Sequence, residues 1–212
     1  MSTTAEYAYH QVRRMVLEGE LAGGDKVSQL RIARQLECST VPVVEALRRL
    51  ESEGLLVKVP RKMARVRVLG VADLEGLFLI RQALEIASAR LCSQRIGADE
   101  CQTLKSLGTQ FEEAACRRDV RMSDSLDMDI HRTISRFAKC SLLGQEFERL
   151  HLIERTVPSS PIDWDAYRKS HNALIEAIVD HDPDMAEYLM KKHIEIGFQQ
   201  TLERAKSRGK TS

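Results

Sequence analysis

Asp127 and His131 stand four residues apart in a segment that reads as a helix. Four residues is about one helical turn, so the two side chains share a face. A carboxylate oxygen and an imidazole nitrogen so placed can chelate a divalent ion. Ile130, Ile134 and Phe137 border that face, which therefore points inward. A second pair brackets the helix break at Asp182-Pro183: His171 and His193 each lie 11 residues from Asp182. In an antiparallel hairpin they sit at one height, roughly 16 Å from the bend. His171 precedes Leu174, Ile175 and Ile178, and His193 follows Ala186, Leu189 and Met190, so both face a core. A lone core-facing histidine is more often structural than a ligand. Two at matched height beside an Asp/His pair leave both readings open, a metal site or packed histidines.

The other candidates fit less well. Asp124 shares the Asp127–His131 face but is seven residues from His131, and Asp129 points away. His10, His151 and His181 have no partner at chelating spacing and read as surface or packing residues. Arg81 falls on the apolar stripe of residues 71–93, with Leu74, Leu77, Phe78, Leu84, Ser88 and Leu91. A guanidinium facing a core requires an anion. That anion is either a carboxylate of the bundle or a ligand carboxylate beside the metal.

The elements that must position these residues follow from the whole chain. Its 212 residues suffice for two modest domains. At 5% aromatics, a stacking platform for single-stranded nucleic acid is not expected. No run of about 18 apolar residues exists, so no membrane span is expected. The start has no apolar core of signal-peptide type. The five cysteines are scattered and without a CxxC, which fits a reduced, cytoplasmic protein. Charge is uneven: residues 1–70 carry twelve Lys and Arg against eight Asp and Glu, whereas the remainder is net acidic. A modest basic patch permits nucleic-acid binding without requiring it.

Residues 5–18, 29–36 and 41–53 read as helices, with Ser28 capping the second, Ser39 or Thr40 capping the third, and Gly54 ending it. LLVKV and ARVRVL, around Pro60-Arg61-Lys62, read as a strand hairpin. Three helices and a two-stranded wing describe a winged helix-turn-helix over residues 1–70. From Val71 on, about six helical segments read as an all-helical bundle over residues 71–212. The expected fold is thus mainly α. In such a reading head the second helix of the pair enters the major groove, and wing cations meet phosphates.

Nearly all of residues 6–69 resemble the winged-helix domain of GntR-type regulators, most specifically in "G-x-L-x-x-G-D" and "P-V-x-E-A-L-R-R-L-x-x-E-G-L". Where the family usually reads Ser-Arg-Thr-Pro-Val-Arg-Glu-Ala-Leu, this chain has Ser39-Thr40-Val41-Pro42-Val43-Val44-Glu45-Ala46-Leu47. Two arginines are thereby replaced, by Thr40 and Val44, and the family's wing glycine is Met63. Apolar residues there can touch a thymine methyl, but a bidentate guanine contact is lost. The DNA-binding candidates are Arg31, Arg34, Thr40, Val41, Val44, Arg48, Arg49, Arg61, Lys62 and Arg65.

Residues 71–206 resemble the FCD effector domain of the FadR-type branch, through DLEGLFLIRQALEIASARL, DSLDMDIHRTIS and SHNALIEAIVDHDPDMAEYLMKKHI. The resemblance implies a divalent metal (zinc, nickel or manganese) on Asp127, His131, His171 and His193. It also implies a small carboxylate effector, which suits the reading of Arg81 as a ligand anchor beside the metal. The expected protein is a ligand-responsive transcription regulator, a homodimer on a double-stranded operator, and not an enzyme. Two alternatives stand beside it. One is a helical metal-binding interaction protein with weakened DNA specificity, motivated by Thr40 and Val44. The other is a metalloenzyme, which lacks an evident general base and leaves the winged helix unexplained.

Overall fold

The structure, a computed structural model, describes residues 4–59, 63–154, 156 and 164–208. The chain forms two compact units: Met1–Leu69 with His151–Val157, and Gly70–Leu150 with Pro158–Ser212. The expected boundary at Gly70 is thus joined by a return of the chain, with Leu152 buried in the first unit's core.

In the first unit, α1 (Thr4–Leu17), α2 (Gln29–Gln35) and α3 (Thr40–Ser52) precede β1 (Leu56–Val57) and β2 (Arg65–Val66). Each helix buries one stripe; α3 buries Val43, Ala46, Leu47 and Leu50 at helical spacing. Ser28 caps α2 by accepting from the Arg31 N–H. Ser39 takes the N-cap position of α3 without a side-chain hydrogen bond. Gly54 follows α3 at φ +86°, the left-handed position glycine adopts without penalty. The antiparallel strands are shorter than the sequence pattern suggests, pairing Leu56 with Val66 and Val57 with Arg65. A two-residue ladder is too short to stand alone. The turn before α2 extends it: Gly24 N–H donates to Val66 O, Val66 N–H to Asp25 O, and Val27 N–H to Ala64 O. That third edge was not evident in GELAGGDK, which reads only as a breaker.

The second unit holds α4 (Val71–Arg95), α5 (Ala98–Cys116), α6 (Val120–Phe137), α7 (Ser141–Glu154) as far as Leu150, α8 (Trp164–Val179) and α9 (Pro183–Arg208), the last turn of α7 belonging to the first unit. Phe111, Ile130, Ile134, Leu174, Ile178 and Met190 lie in the second unit's core. Helices α8 and α9 turn back at Asp182. Its N–H reaches Ala177 O, its carboxylate accepts from the Met185 N–H, and Pro183 opens α9, where a missing N–H costs nothing. Arg118, Lys139 and His181 take left-handed φ values after their helices, and Glu37 does so in the first unit. Non-glycine residues in that role explain why these turns carry no glycine signal. At Gly108 of α5 a Cβ would come within 2.8 Å of Ile175 Cδ1, so the missing side chain lets α5 approach α8.

Candidate metal centre

Three helix stripes of the second unit converge on one point. Asp127 and His131 come from α6, His171 from α8 and His193 from α9, as the matched spacing from Asp182 requires. One donor atom from each lies within 4.8 Å of every other. His131 Nε2 is 2.9 Å from His193 Nε2. Asp127 Oδ1 is 2.7 Å from His171 Nε2, 3.4 Å from His131 Nε2 and 3.8 Å from His193 Nε2. Two ligands each about 2.1 Å from a shared ion stand about 3.0–3.4 Å apart at octahedral to tetrahedral angles. The separations bracket that range.

The outward ring nitrogens decide what the inward ones present. His131 Nδ1 faces the Glu85 carboxylate. His171 Nδ1 donates to Tyr167 O at 3.0 Å. His193 Nδ1 lies 2.8 Å from Ser170 Oγ, whose own hydrogen goes to Tyr167 O. Each Nδ1 therefore meets an acceptor and carries its proton, so in the neutral rings each Nε2 turns a lone pair inward. Three lone pairs and a carboxylate oxygen then face one another, a set that only protons or a cation can reconcile. The donor set fits a divalent metal.

The electrostatics of the metal-free site agree. Burial opposes ionisation of Asp127, yet the charge and hydrogen bonds of His131 and His171 hold its carboxyl well below the usual range. Burial likewise opposes charging of His131, but Glu85 and Asp127 outweigh it and push His131 up to about 10. His193 is held well below the usual histidine value by burial, then by the neighbouring His171 and His131. A proton on His131 thus occupies the place a cation would take.

Arg81 engages Glu85 through Nε, so a bundle carboxylate does face it. Glu85 went unrecognised in the sequence. The buried stripe of α4 runs through Leu74, Glu85, Ser88, Ala89 and Cys92, and not through Leu84 and Leu91, which are half-buried. Arg81 and Glu85 at i,i+4 on one inward stripe was the available signal. Ser170 gave none, since a helical serine usually bonds its own backbone. Glu85 is an acid close to the ligands, but it sits behind His131, on the nitrogen facing away from the donors, and is not placed as a general base. His151 is buried and pairs with Glu154, His10 is exposed, and exposed His181 reaches Ser93 O. Asp129 pairs with Arg132, away from the centre.

The DNA-reading candidates divide in the first unit. Thr40, Val41 and Val44 lie at the start of α3 and Arg48 one turn further on, with Val41 64% exposed and Arg48 exposed. Arg31 and Arg34 are exposed on α2. Arg49, also exposed, and the half-buried Arg65 in addition bond groups of the fold. Arg49 lies over the Tyr9 ring and bonds Glu53, and Arg65 donates to Gly24 O at 2.8 Å. Arg67 of the wing likewise donates to Gly54 O. These arginines knit helices and wing together, a use the charge count could not distinguish from phosphate binding. Arg61 and Lys62 lie outside the described residues.

A winged helix-turn-helix followed by a helical bundle with inward donors defines a class, the DNA-binding regulators with an effector domain. Residues 4–66 match the bacterial regulatory proteins of the gntR family, and residues 76–196 match the FCD domain. The chain belongs to the GntR family of transcriptional regulators, in its FCD-containing, FadR-type branch. It is 30% identical over 182 residues to a probable D-xylose utilization operon transcriptional repressor of Paenarthrobacter nicotinovorans, covering 84% of this chain and 80% of that one. It is 25% identical over 191 residues to the HTH-type transcriptional repressor RspR of Escherichia coli K12, covering 88% and 84%. The structure of E. coli McbR/YncC shares the fold at a TM-score of 0.75 and 20% identity, over 94% of this chain and 99% of that one. The protein is a DNA-binding transcriptional regulator and not an enzyme. Among the described residues, no helix is long and apolar enough to cross a membrane.

Proposed function

We propose that the protein is a cytoplasmic, ligand-responsive repressor or activator, whose bundle holds one divalent metal ion on Asp127, His131, His171 and His193. The observation that carries the metal reading is the convergence of three Nε2 atoms and one carboxylate oxygen, each histidine fixed by an acceptor behind it. Three imidazoles and one carboxylate suit zinc, nickel or manganese, and four protein ligands leave positions open on a five- or six-coordinate ion. When bound, the ion supplies a Lewis-acidic point for an anionic ligand.

The effector is a small organic acid. The histidine side chains are 0–2% exposed, whereas those of Asp127 and Arg81 are both 17% exposed. A carboxylate reaching the centre from the Asp127 side would meet the metal, with Arg81 as its cationic partner. By preferring one arrangement of the chain over another, it shifts operator affinity. The test is a thermal-shift screen of small mono- and dicarboxylates on metal-loaded protein, followed by operator binding with and without each hit. A hit raises the melting temperature only in the loaded protein and changes operator affinity at least fivefold. If no acid does both, the effector reading fails.

The working form is a homodimer, matching a two-fold operator. Mid-helix Leu79 and Ile80 of α4 are 61% and 54% exposed, an apolar pair that a second copy would cover. Leu79→Glu with Ile80→Glu is expected to shift the sedimentation coefficient from dimer to monomer while leaving helical content unchanged. A wild-type monomer, or a variant that stays dimeric, refutes this.

A further inference from the structure

We propose that Glu85 is a positioning residue of the metal centre, locking His131 as a ligand through its outward nitrogen and held in turn by Arg81. This rests on the metal reading above. The three histidines are not equivalent behind their inward nitrogens. His193 is backed by a hydroxyl and His171 by a backbone carbonyl, both neutral acceptors. His131 alone is backed by a carboxylate, and that carboxylate is 1% exposed. A buried carboxylate without compensation would be very unfavourable. Glu85 is compensated on both oxygens: Oε1 by Arg81 Nε and Oε2 by His131 Nδ1.

Such an arrangement does two things to His131. The acceptor-only carboxylate fixes the tautomer and the ring plane, so Nε2 stays aimed at the other donors. Its negative charge raises the electron density on the imidazole and so strengthens His131 as a donor. Helix α4, which offers no ligand of its own, thereby takes part in the centre, and Arg81 becomes a residue that acts through Glu85. An anion bound to Arg81 would loosen the hold on Glu85, so ligand and metal affinities would be linked through this one carboxylate.

The test compares wild type with Glu85→Gln, which keeps the shape and a hydrogen-bond acceptor but removes the charge. Zn2+ and Co2+ are titrated into the metal-free proteins, and the visible absorption of the Co2+ forms is recorded. Glu85→Gln is expected to weaken Zn2+ binding by about 10–100-fold and to shift the Co2+ bands. Arg81→Met should weaken it less and in the same direction. If Glu85→Gln lowers the melting temperature of metal-free and metal-loaded protein equally, with affinity and Co2+ spectrum unchanged, Glu85 is merely structural and the proposal is overturned. Should that variant not fold, Glu85→Asp, whose shorter carboxylate draws away from His131, is read the same way. Wild type that binds neither ion removes the metal reading itself, a result distinct from tight binding that ignores residue 85.

Discussion

Replacing His171 and His193 together by alanine is expected to abolish binding of the proposed metal. Elemental analysis of wild type is expected to show about one ion per chain, and of the double variant none. The effect is large because two of four donors vanish from a site in which every other donor depends on them: His171 faces Asp127, and His193 faces His131. Metal also stabilises the fold by mass action, about 4 kcal/mol with free ion at a thousand times Kd. The wild-type melting temperature should rise on adding metal, and that of the variant should not. His171 and His193 are 0% and 1% exposed, so the alanines also leave space near Phe111. Asp127→Asn, which preserves shape and removes only the anionic donor, separates the two effects: it should fold as wild type and bind metal far more weakly. Full metal content in both variants would refute the assignment.

The same site sets the sign of its pH dependence. In the metal-free protein His131 is pushed up to about 10, and the ion must displace that proton. Displacing that one proton should make affinity rise with pH by up to a factor of ten per unit from neutrality, flattening as pH approaches 10, where His131 loses its proton unaided. Without metal, the stabilisation His131 gains from Glu85 and Asp127 is fully present below its ordinary value of 6.5. It is lost as pH rises through about 10. His193 acts oppositely: held neutral in the fold, it costs stability as pH falls below 6.5.

The two histidines were legible in the sequence for a geometric reason. Equal distance from Asp182 fixes equal height in any tight helical hairpin, whatever the side chains around it. Asp127 and His131 were legible from a four-residue spacing on one apolar face. Glu85 was legible only as an i,i+4 partner for Arg81; its contact with His131 depends on α4 crossing α6 at one height, which no spacing within α4 reports. The wing shows the same limit. Alternation marked both strands, but the third edge from Gly24 to Val27 is set by tertiary pairing, with Arg65 tying Gly24 to the hairpin. Arg49, itself exposed, and Arg65 counted as available cations in the sequence, and the packed structure adds that both also bond groups of the fold.

The exposure of Val41 predicts where DNA binding is most sensitive. Val41→Glu should weaken operator binding by roughly a hundredfold at physiological salt. Val41 lies in the first turn of α3, the helix a winged helix-turn-helix lays in the major groove with its first turn over the bases. At 64% exposure it contributes little to the core, so the variant should keep its fold and its metal. A carboxylate placed there faces phosphates and base acceptors. A like-charge juxtaposition of about 3 kcal/mol corresponds to a loss of roughly a hundredfold. With Thr40 and Val44 flanking it, the first turn of α3 holds no arginine, so its sequence discrimination rests on apolar and hydroxyl contacts, thymine methyls among them. Operators selected from a random duplex library should accordingly be enriched in thymine steps rather than guanine at those positions. Arg48→Ala should weaken binding more evenly across sequences and reduce the salt slope by about one. Leu142→Glu, at a 73% exposed position of α7, serves as the control and should bind as wild type. A Val41→Glu protein that retains wild-type affinity would place the reading head elsewhere than on α3.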